Sequence, residues 1–200
     1  MAQPHSILVI RLSSLGDVLM TIPAVASLRR KFPKAHIAWL VEGSVGRLLQ
    51  DQEFVDDVIP FPRSALQRML RSGRLGGAAG EGIRFLRRLR KKEYDLVLDF
   101  HGILKSSVLS LCARNSRRVG FGPMFAKEQS HLAYHERLDH DDKRIHKVDR
   151  NMLIARHIGA NGGVPGVTLR VPPEEERYVA KFLGEHCGTA PVVALNPFSS

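Results

Sequence analysis

The chain has 200 residues, 44% of them hydrophobic, which suits one domain, or one domain with part of another, built around a substantial core. Thirty Lys and Arg against twenty Asp and Glu give a formal net charge of +10. That balance points to anionic partners: nucleic acid, an anionic membrane surface or a phosphorylated substrate. Cys112 and Cys187 sit in no CxxC or metal-type spacing, no apolar run approaches the length of a membrane span, and Met1 to Ser6 has no signal-like pattern, so a cytoplasmic chain with reduced thiols is expected.

The first apolar run, Ile7 to Ile10, is short and β-branched and predicts a buried parallel strand. A small polar turn follows, Ser13-Ser14-Leu15-Gly16, and then Asp17. Val18, Ile22, Val25 and Leu28 share one face of a helix that should end near Phe32-Pro33. A strand, a tight turn and a helix open a βαβ unit, and ligands in such sheets bind at the carboxyl ends of the strands. Asp17 therefore has two readings. Local pattern favours an N-cap that satisfies free backbone N–H groups. The alternative is a base that takes a proton from a hydroxyl. The turn lacks the spacing of GxGxxG or a Walker A loop, so a nucleotide is not expected on it.

His36 to Val41 predicts the second strand, Val45 to Gln50 a short helix, and Val55 to Phe61 a third strand that ends at Pro60. Strands alternating with helices predict a doubly wound, mostly parallel α/β sheet. Residues 63–92 hold ten Lys and Arg and a single acid, Glu81, with a Gly-rich hinge at Gly76-Gly77-Ala78-Ala79-Gly80. One-signed charge at this density reads either as a solvated outer face or as an anion-binding arm. Tyr94 to Phe100 is the fourth strand, running into the turn His101-Gly102-Ile103 and a helix.

Arg117 to Gly122 predicts a fifth strand, and Met124 to Asp142 is polar with little periodicity. Its histidines fit no zinc spacing, so no metal is expected. His146 to about Ile158 predicts a helix with Val148, Met152 and Ala155 inward. Gly159 to Gly166 reads as a linker, Val167 to Val171 as a short strand, and Pro172 to His186 as a helix with acids in its first turn. Pro191 to Asn196 predicts a last strand, and Asn196-Pro197-Phe198-Ser199-Ser200 a turn toward a helix N-terminus, a natural phosphate site.

Ile7-Leu8-Val9-Ile10-Arg11-Leu12-Ser13-Ser14-Leu15-Gly16-Asp17-Val18 with Thr21-Ile22-Pro23-Ala24 resembles the opening of the ADP-heptose:lipopolysaccharide heptosyltransferases, glycosyltransferase family 9, and its Ser-Ser-Leu-Gly-Asp form resembles the heptosyltransferase I branch. Asp99, Gly102, Lys105 and Ser106 fill a second pattern similar to that family, with His101 where Gln is expected, and His146 to Asn151 resembles a third. The resemblance implies a Rossmann-like fold, the N-terminal half of a two-domain GT-B glycosyltransferase. It implies an acceptor-binding domain over 1–160, and over 161–200 a linker and the truncated start of a nucleotide-sugar domain. The implied reaction moves heptose from ADP-heptose to the lipopolysaccharide inner core with inversion. Asp17 is then the general base, and Arg11, Ser13, Ser14, Gly16, Arg63, His101 and Lys105 face the acceptor, while Ser199 and Ser200 face the donor. No metal or cofactor is implied, and nucleic acid is not an expected partner. The inner face of the cytoplasmic membrane is an expected peripheral contact. The 200 residues are expected to be a truncated chain without transferase activity of its own. The rival reading is a non-enzymatic basic module that binds nucleic acid or another polyanion. Its discriminator is whether the cations lie around Asp17 or along an opposite face.

Overall fold

The computed structural model describes residues 3–187, 191–193 and 195. Six strands form one sheet: β1 (Ser6–Ile10), β2 (His36–Glu42), β3 (Asp57–Phe61), β4 (Glu93–Asp99), β5 (Arg114–Phe121) and β6 (Glu136–Leu138). All pairings are parallel, in the order β3-β2-β1-β4-β5-β6. The central strands are apolar because both of their faces are covered: Ile7 to Ile10 and Ile37 to Val41 are fully buried. Pro60 lies within β3 rather than ending it. It is tolerated because β3 is an edge strand and needs to donate no outer ladder bond. β6 was not expected: three residues, Glu-Arg-Leu, are too short to show alternation, and only pairing with β5 makes them a strand.

The register fixes the functional edge. Ile10 is level with Asp99 of β4, so β1 and β4 end together, and with Leu40 of β2, which runs two residues further to Glu42. The strand order reverses direction at the β1/β4 pair, and in open α/β sheets that reversal opens a crevice above the carboxyl ends.

The helices are α1 (Leu15–Leu19), α2 (Ile22–Lys31), α3 (Gly43–Gly46), α4 (Arg63–Arg71), α5 (Leu75–Leu89), α6 (Leu104–Cys112), α7 (Lys147–His157) and α8 (Pro173–His186). One helix was expected over 18–32, and two are present. Pro23 occupies the first turn of α2, where its missing N–H costs nothing, and the chain breaks at Met20-Thr21 just before it. Val18, Ile22, Val25 and Leu28 nonetheless share one buried face. The hinge expected at 76–80 is also corrected. Those residues lie inside α5, where burial of Ala78, Phe85 and Leu89 outweighs the weak helix propensity of glycine. The turn between α4 and α5 is Ser72 to Arg74.

The chain divides into two compact units, one ending at Val167 and the other starting at Thr168. In the second unit α8 forms as expected and exposes Tyr178, Val179 and Phe182. Val167 to Val171 is not a strand, and among the described residues no strand pairs with it. Pro191 to Val193 and Leu195 carry no regular structure, and the rest of that predicted strand, with Ser199 and Ser200, lies outside the described residues. Among the described residues no helix is long and apolar enough to cross a membrane.

Candidate active site

The crevice is built on the turn after β4. Asp99 is fully buried and accepts hydrogen bonds from the His101 amide (2.8 Å), the Gly102 amide (3.2 Å) and the Tyr134 hydroxyl (2.7 Å). Burial pushes its carboxyl pKa up, against the pull of those donors. Asp99 is therefore a structural anchor. Gly102 completes the turn at φ +69°, a conformation that glycine adopts without a Cβ penalty. Gly120 on β5 makes the anchor possible, because a Cβ there would fall 2.5 Å from the Tyr134 ring. Without a side chain at 120, the Tyr134 ring lies against β5 and its hydroxyl reaches Asp99.

Asp17 faces this turn from α1. The local N-cap reading is corrected: the N-cap is Ser14, and Asp17 lies within the first turn. Its side chain, 20% exposed, meets Arg11 Nη2 at 2.6 Å and Lys147 Nζ at 2.7 Å, one cation on each oxygen. The Ser14 hydroxyl donates to it over 3.4 Å. Partial burial opposes its ionisation, yet Lys147 and Arg11 outweigh that and hold its pKa at about 2. Arg11 is 4% exposed and also donates to the Phe100 carbonyl, so it holds Asp17 from below rather than facing the open crevice. Lys147 is the first residue of α7 and is half exposed. Asn151, one turn further on, donates to the Met20 carbonyl (2.9 Å) and to the Thr21 hydroxyl (3.1 Å), which ties α7 to the α1–α2 break.

His101 closes the gap between β1 and β4. Its Nδ1 accepts the Leu12 amide (3.2 Å), which leaves Nε2 to carry the proton. Burial, then the nearby Arg11 and Lys105, push its pKa down to about 4, so the ring is neutral near pH 7. It also feels Asp17 and Glu42, which marks these five side chains as one electrostatic cluster. Glu42, at the end of β2, receives Lys105 Nζ (2.9 Å) and Arg63 Nη1 (3.2 Å). Lys105 Nζ also lies 5.3 Å from the Phe61 ring centroid. Arg150 of α7 stacks near Phe121 (5.2 Å) and Phe125 (5.4 Å).

Beside Glu42, a cavity of ≈ 490 Å³ opens between β3 and the α4–α5 hairpin, lined by Arg63, Arg68, Arg84, Arg88, Phe61 and Phe85. A larger cavity of ≈ 670 Å³, lined by His5, Lys31, Asp95 and His157 among others, lies at the amino edge of the sheet, where parallel sheets do not place their ligands. Among the described residues no group of three His, Cys, Asp or Glu is placed to hold a metal.

The structure thus brings Arg11, Ser14, Asp17 and His101 together at the β1/β4 junction, and Arg63 with Lys105 on Glu42. Ser13 and Gly16 lie on the same turn, half-buried and exposed respectively. Sequence reasoning missed Glu42 and Lys147. Glu42 carried a usable signal, a charged residue directly after a buried parallel strand. Lys147 sat in a noted segment, but nothing local ties it to a residue 130 positions earlier.

The model of glycosyltransferase family 9 (heptosyltransferase) matches residues 83–200, more than half of the chain, and the chain belongs to that family. Its fold is the Rossmann-like half of a GT-B glycosyltransferase. It is 29% identical over 154 residues to lipopolysaccharide heptosyltransferase 1 of Salmonella typhimurium, covering 76% of this chain and 48% of that protein. It is 36% identical over 108 residues to lipopolysaccharide heptosyltransferase 1 of Pseudomonas aeruginosa, covering 52% of this chain and 28% of that one. Among solved structures, the E. coli heptosyltransferase WaaC with ADP-2-deoxy-2-fluoro heptose superposes with a TM-score of 0.69 at 26% identity, over 82% of this chain and 50% of that one. The chain spans about half the length of the curated lipopolysaccharide heptosyltransferase 1 sequences of Salmonella and E. coli that it matches.

Proposed function

We propose that this chain is the acceptor-binding half of a heptosyltransferase I-like enzyme that moves heptose from ADP-heptose to the lipopolysaccharide inner core, with inversion. The observation that carries the proposal is Asp17: an ionised, partly exposed carboxylate at the strand-order reversal of a family 9 chain. The names of its relatives and the ADP-heptose analogue in the E. coli structure support the choice of donor and acceptor.

In this scheme the acceptor hydroxyl attacks the anomeric carbon from the face opposite ADP. Its proton passes to Asp17, and the bond to the diphosphate breaks. A carboxylate held near pKa 2 is always in the basic form but is a weak base. Lys147 is the exposed and movable cation of the two. A phosphate or acidic sugar on the acceptor that draws Lys147 away frees one oxygen of Asp17 and raises its basicity. Arg11 keeps the other oxygen in place. Arg63, Lys105, His101 and the Ser13-Ser14-Leu15-Gly16 turn would contact the acceptor, and Arg suits its anionic groups. Ser199 and Ser200 would lie near the donor diphosphate, with most of the donor site supplied by a second domain. The reaction would run in the cytoplasm, at the membrane face, without metal or cofactor. The reading as a polyanion module draws on the net charge of +10 and the basic hairpin, whereas four of that stretch's arginines line the cavity beside Glu42.

The test is Asp17→Ala in the intact two-domain enzyme. Turnover should fall on the order of 10²- to 10⁴-fold, with ADP-heptose affinity unchanged. An equal loss of donor binding would overturn the role. The 200 residues alone should transfer no heptose, because the reacting groups cannot be brought together without the second domain. Transfer by this chain alone would refute the division of labour.

A further inference from the structure

Arginines that leave solvent in this chain find acceptors. Arg11 meets Asp17 at 2.6 Å and donates to the Phe100 carbonyl. Arg29 donates to the Ala35 carbonyl (2.7 Å) and to Asp56. Arg117 donates to Glu136 (2.6 Å), and Arg118 to the Ala133 carbonyl (2.7 Å) and Asn115 (3.1 Å). Among the described residues Arg150 is the exception. It is half-buried, its Nε is shut off from solvent, and no hydrogen bond or ion pair reaches any of its nitrogens. Donors removed from water and left unpaired are costly, so such an arrangement persists where something else is gained.

What holds Arg150 is aromatic. Its guanidinium carbon lies 5.2 Å from the ring centroid of Phe121 and 5.4 Å from that of Phe125. The two rings meet edge-on at 5.8 Å, and both are almost fully buried. Ring faces attract the cation and limit its motion, but they accept none of the N–H bonds that point along its plane. Phe121 is the last residue of β5, one past Gly120, which is level with Asp99. The donors are therefore held at the carboxyl edge, where the crevice opens. Lys147 precedes Arg150 by three residues on α7, so the two share one side of that helix. Lys147 and Arg11 already occupy both oxygens of Asp17. Burial and Arg11 act against the charge on Arg150, and Asp17 offsets them only in part. A second anion at this place would meet a stacked guanidinium with its donors free.

We propose that Arg150 is a binding residue for the acceptor, gripping a carboxylate or phosphate on its sugar while Phe121 and Phe125 set the plane of the guanidinium. A planar fork matches two oxygens of such a group. The proposal rests on the transfer reading for the identity of the ligand: the molecule whose hydroxyl meets Asp17 is the one that faces Arg150. The gripped anion would stand beside Lys147 and compete with Asp17 for it, so acceptor binding and the freeing of Asp17 would be one event.

In the intact two-domain enzyme, Arg150→Met keeps the packing on the two rings and removes the charge. It should raise the acceptor KM on the order of tenfold to a hundredfold, the worth of a lost charge-assisted hydrogen bond, with the ADP-heptose KM unchanged. Arg150→Lys keeps the charge without the fork and should fall between the two. An unchanged acceptor KM in Arg150→Met, with a large drop in its thermal melt, would make Arg150 a structural residue and overturn the proposal. A rise in the ADP-heptose KM instead would give Arg150 to the donor and overturn it too. A measurement without turnover uses the 200-residue chain. The Arg150 Nε–H signal in its nitrogen–proton NMR spectrum is identified by its loss in Arg150→Lys. Glucuronate and glucose 6-phosphate should shift that signal saturably, and glucose should not. No shift with either acid overturns the proposal. If the intact enzyme transfers no heptose while the acids still shift the signal, the transfer reading falls and the anion site at Arg150 stands.

Discussion

At the junction of β1 and β4, Arg11 is buried, and its guanidinium spends itself on Asp17 and the Phe100 carbonyl. On the α4–α5 hairpin, Arg68, Arg71 and Arg74 stand in solvent, and among the described residues none of them is ion-paired. The residue type is the same and its physical role is opposite. A desolvated cation must be paired, and the pairing fixes the position of a carboxylate to within the length of a hydrogen bond. An exposed cation gains little from any single partner and acts through the summed field. The crevice therefore orients, and the hairpin attracts. Lys105 and Arg63 lie between these extremes, half exposed but held on Glu42.

The sharpest way to break this contrast is to remove one arginine from each region. Arg11→Met leaves Asp17 without its buried partner and should cost about 3 kcal/mol or more in urea unfolding. Arg71→Met should stay within about 0.5 kcal/mol. Equal costs would mean that burial is not what separates the two regions.

A smaller effect is expected from the field itself. In the intact enzyme, changing Arg63, Arg68 and Arg71 together to Ala should weaken acceptor binding about tenfold at low salt, since each exposed contact is worth about 1 kcal/mol or less. Raising the salt should shrink that difference. A flat salt response with unchanged affinity would return the stretch to an ordinary solvated face.

A further effect concerns pH. His101 titrates near 4 in the folded chain, because burial and the neighbouring Arg11 and Lys105 disfavour its charge, against 6.5 when unfolded. Between those values the unfolded state binds the extra proton. The stability that neutral His101 contributes is therefore complete above pH 6.5 and lost as the pH falls toward 4. Asp17 adds a second stage, present above its ordinary 3.8 and lost as the pH falls toward 2. Urea unfolding between pH 7 and 2 should show the first slope in the native chain and lose it in His101→Gln, with the second stage intact. A first slope unchanged in that variant would assign it to another group.

Where the physics is local, the residues alone were enough. Ile7 to Ile10 and Ile37 to Val41 could only be covered strands, and the alternation with helices required a parallel sheet. Asp17 followed from its place after the first strand, since the carboxyl ends of such strands face the crevice. Local reasoning failed where tertiary packing overrode it. The glycines of 76–80 read as a hinge, yet α5 runs through them because its buried face holds the helix together. The three residues of β6 read as loop because only β5 gives their backbone groups partners.

Composition, strand periodicity and the turn before Asp17 determined the fold class and the edge where chemistry belongs. The tertiary structure alone decided which charges meet there. Lys147 reaches Asp17 from 130 residues away, and Lys105 reaches Glu42 from 63 away. Helices and strands follow from contacts a few residues apart, which the order of residues displays directly. An ion pair between distant segments exists only after strand order and register have placed both partners on one rim, and no neighbour along the chain records that outcome.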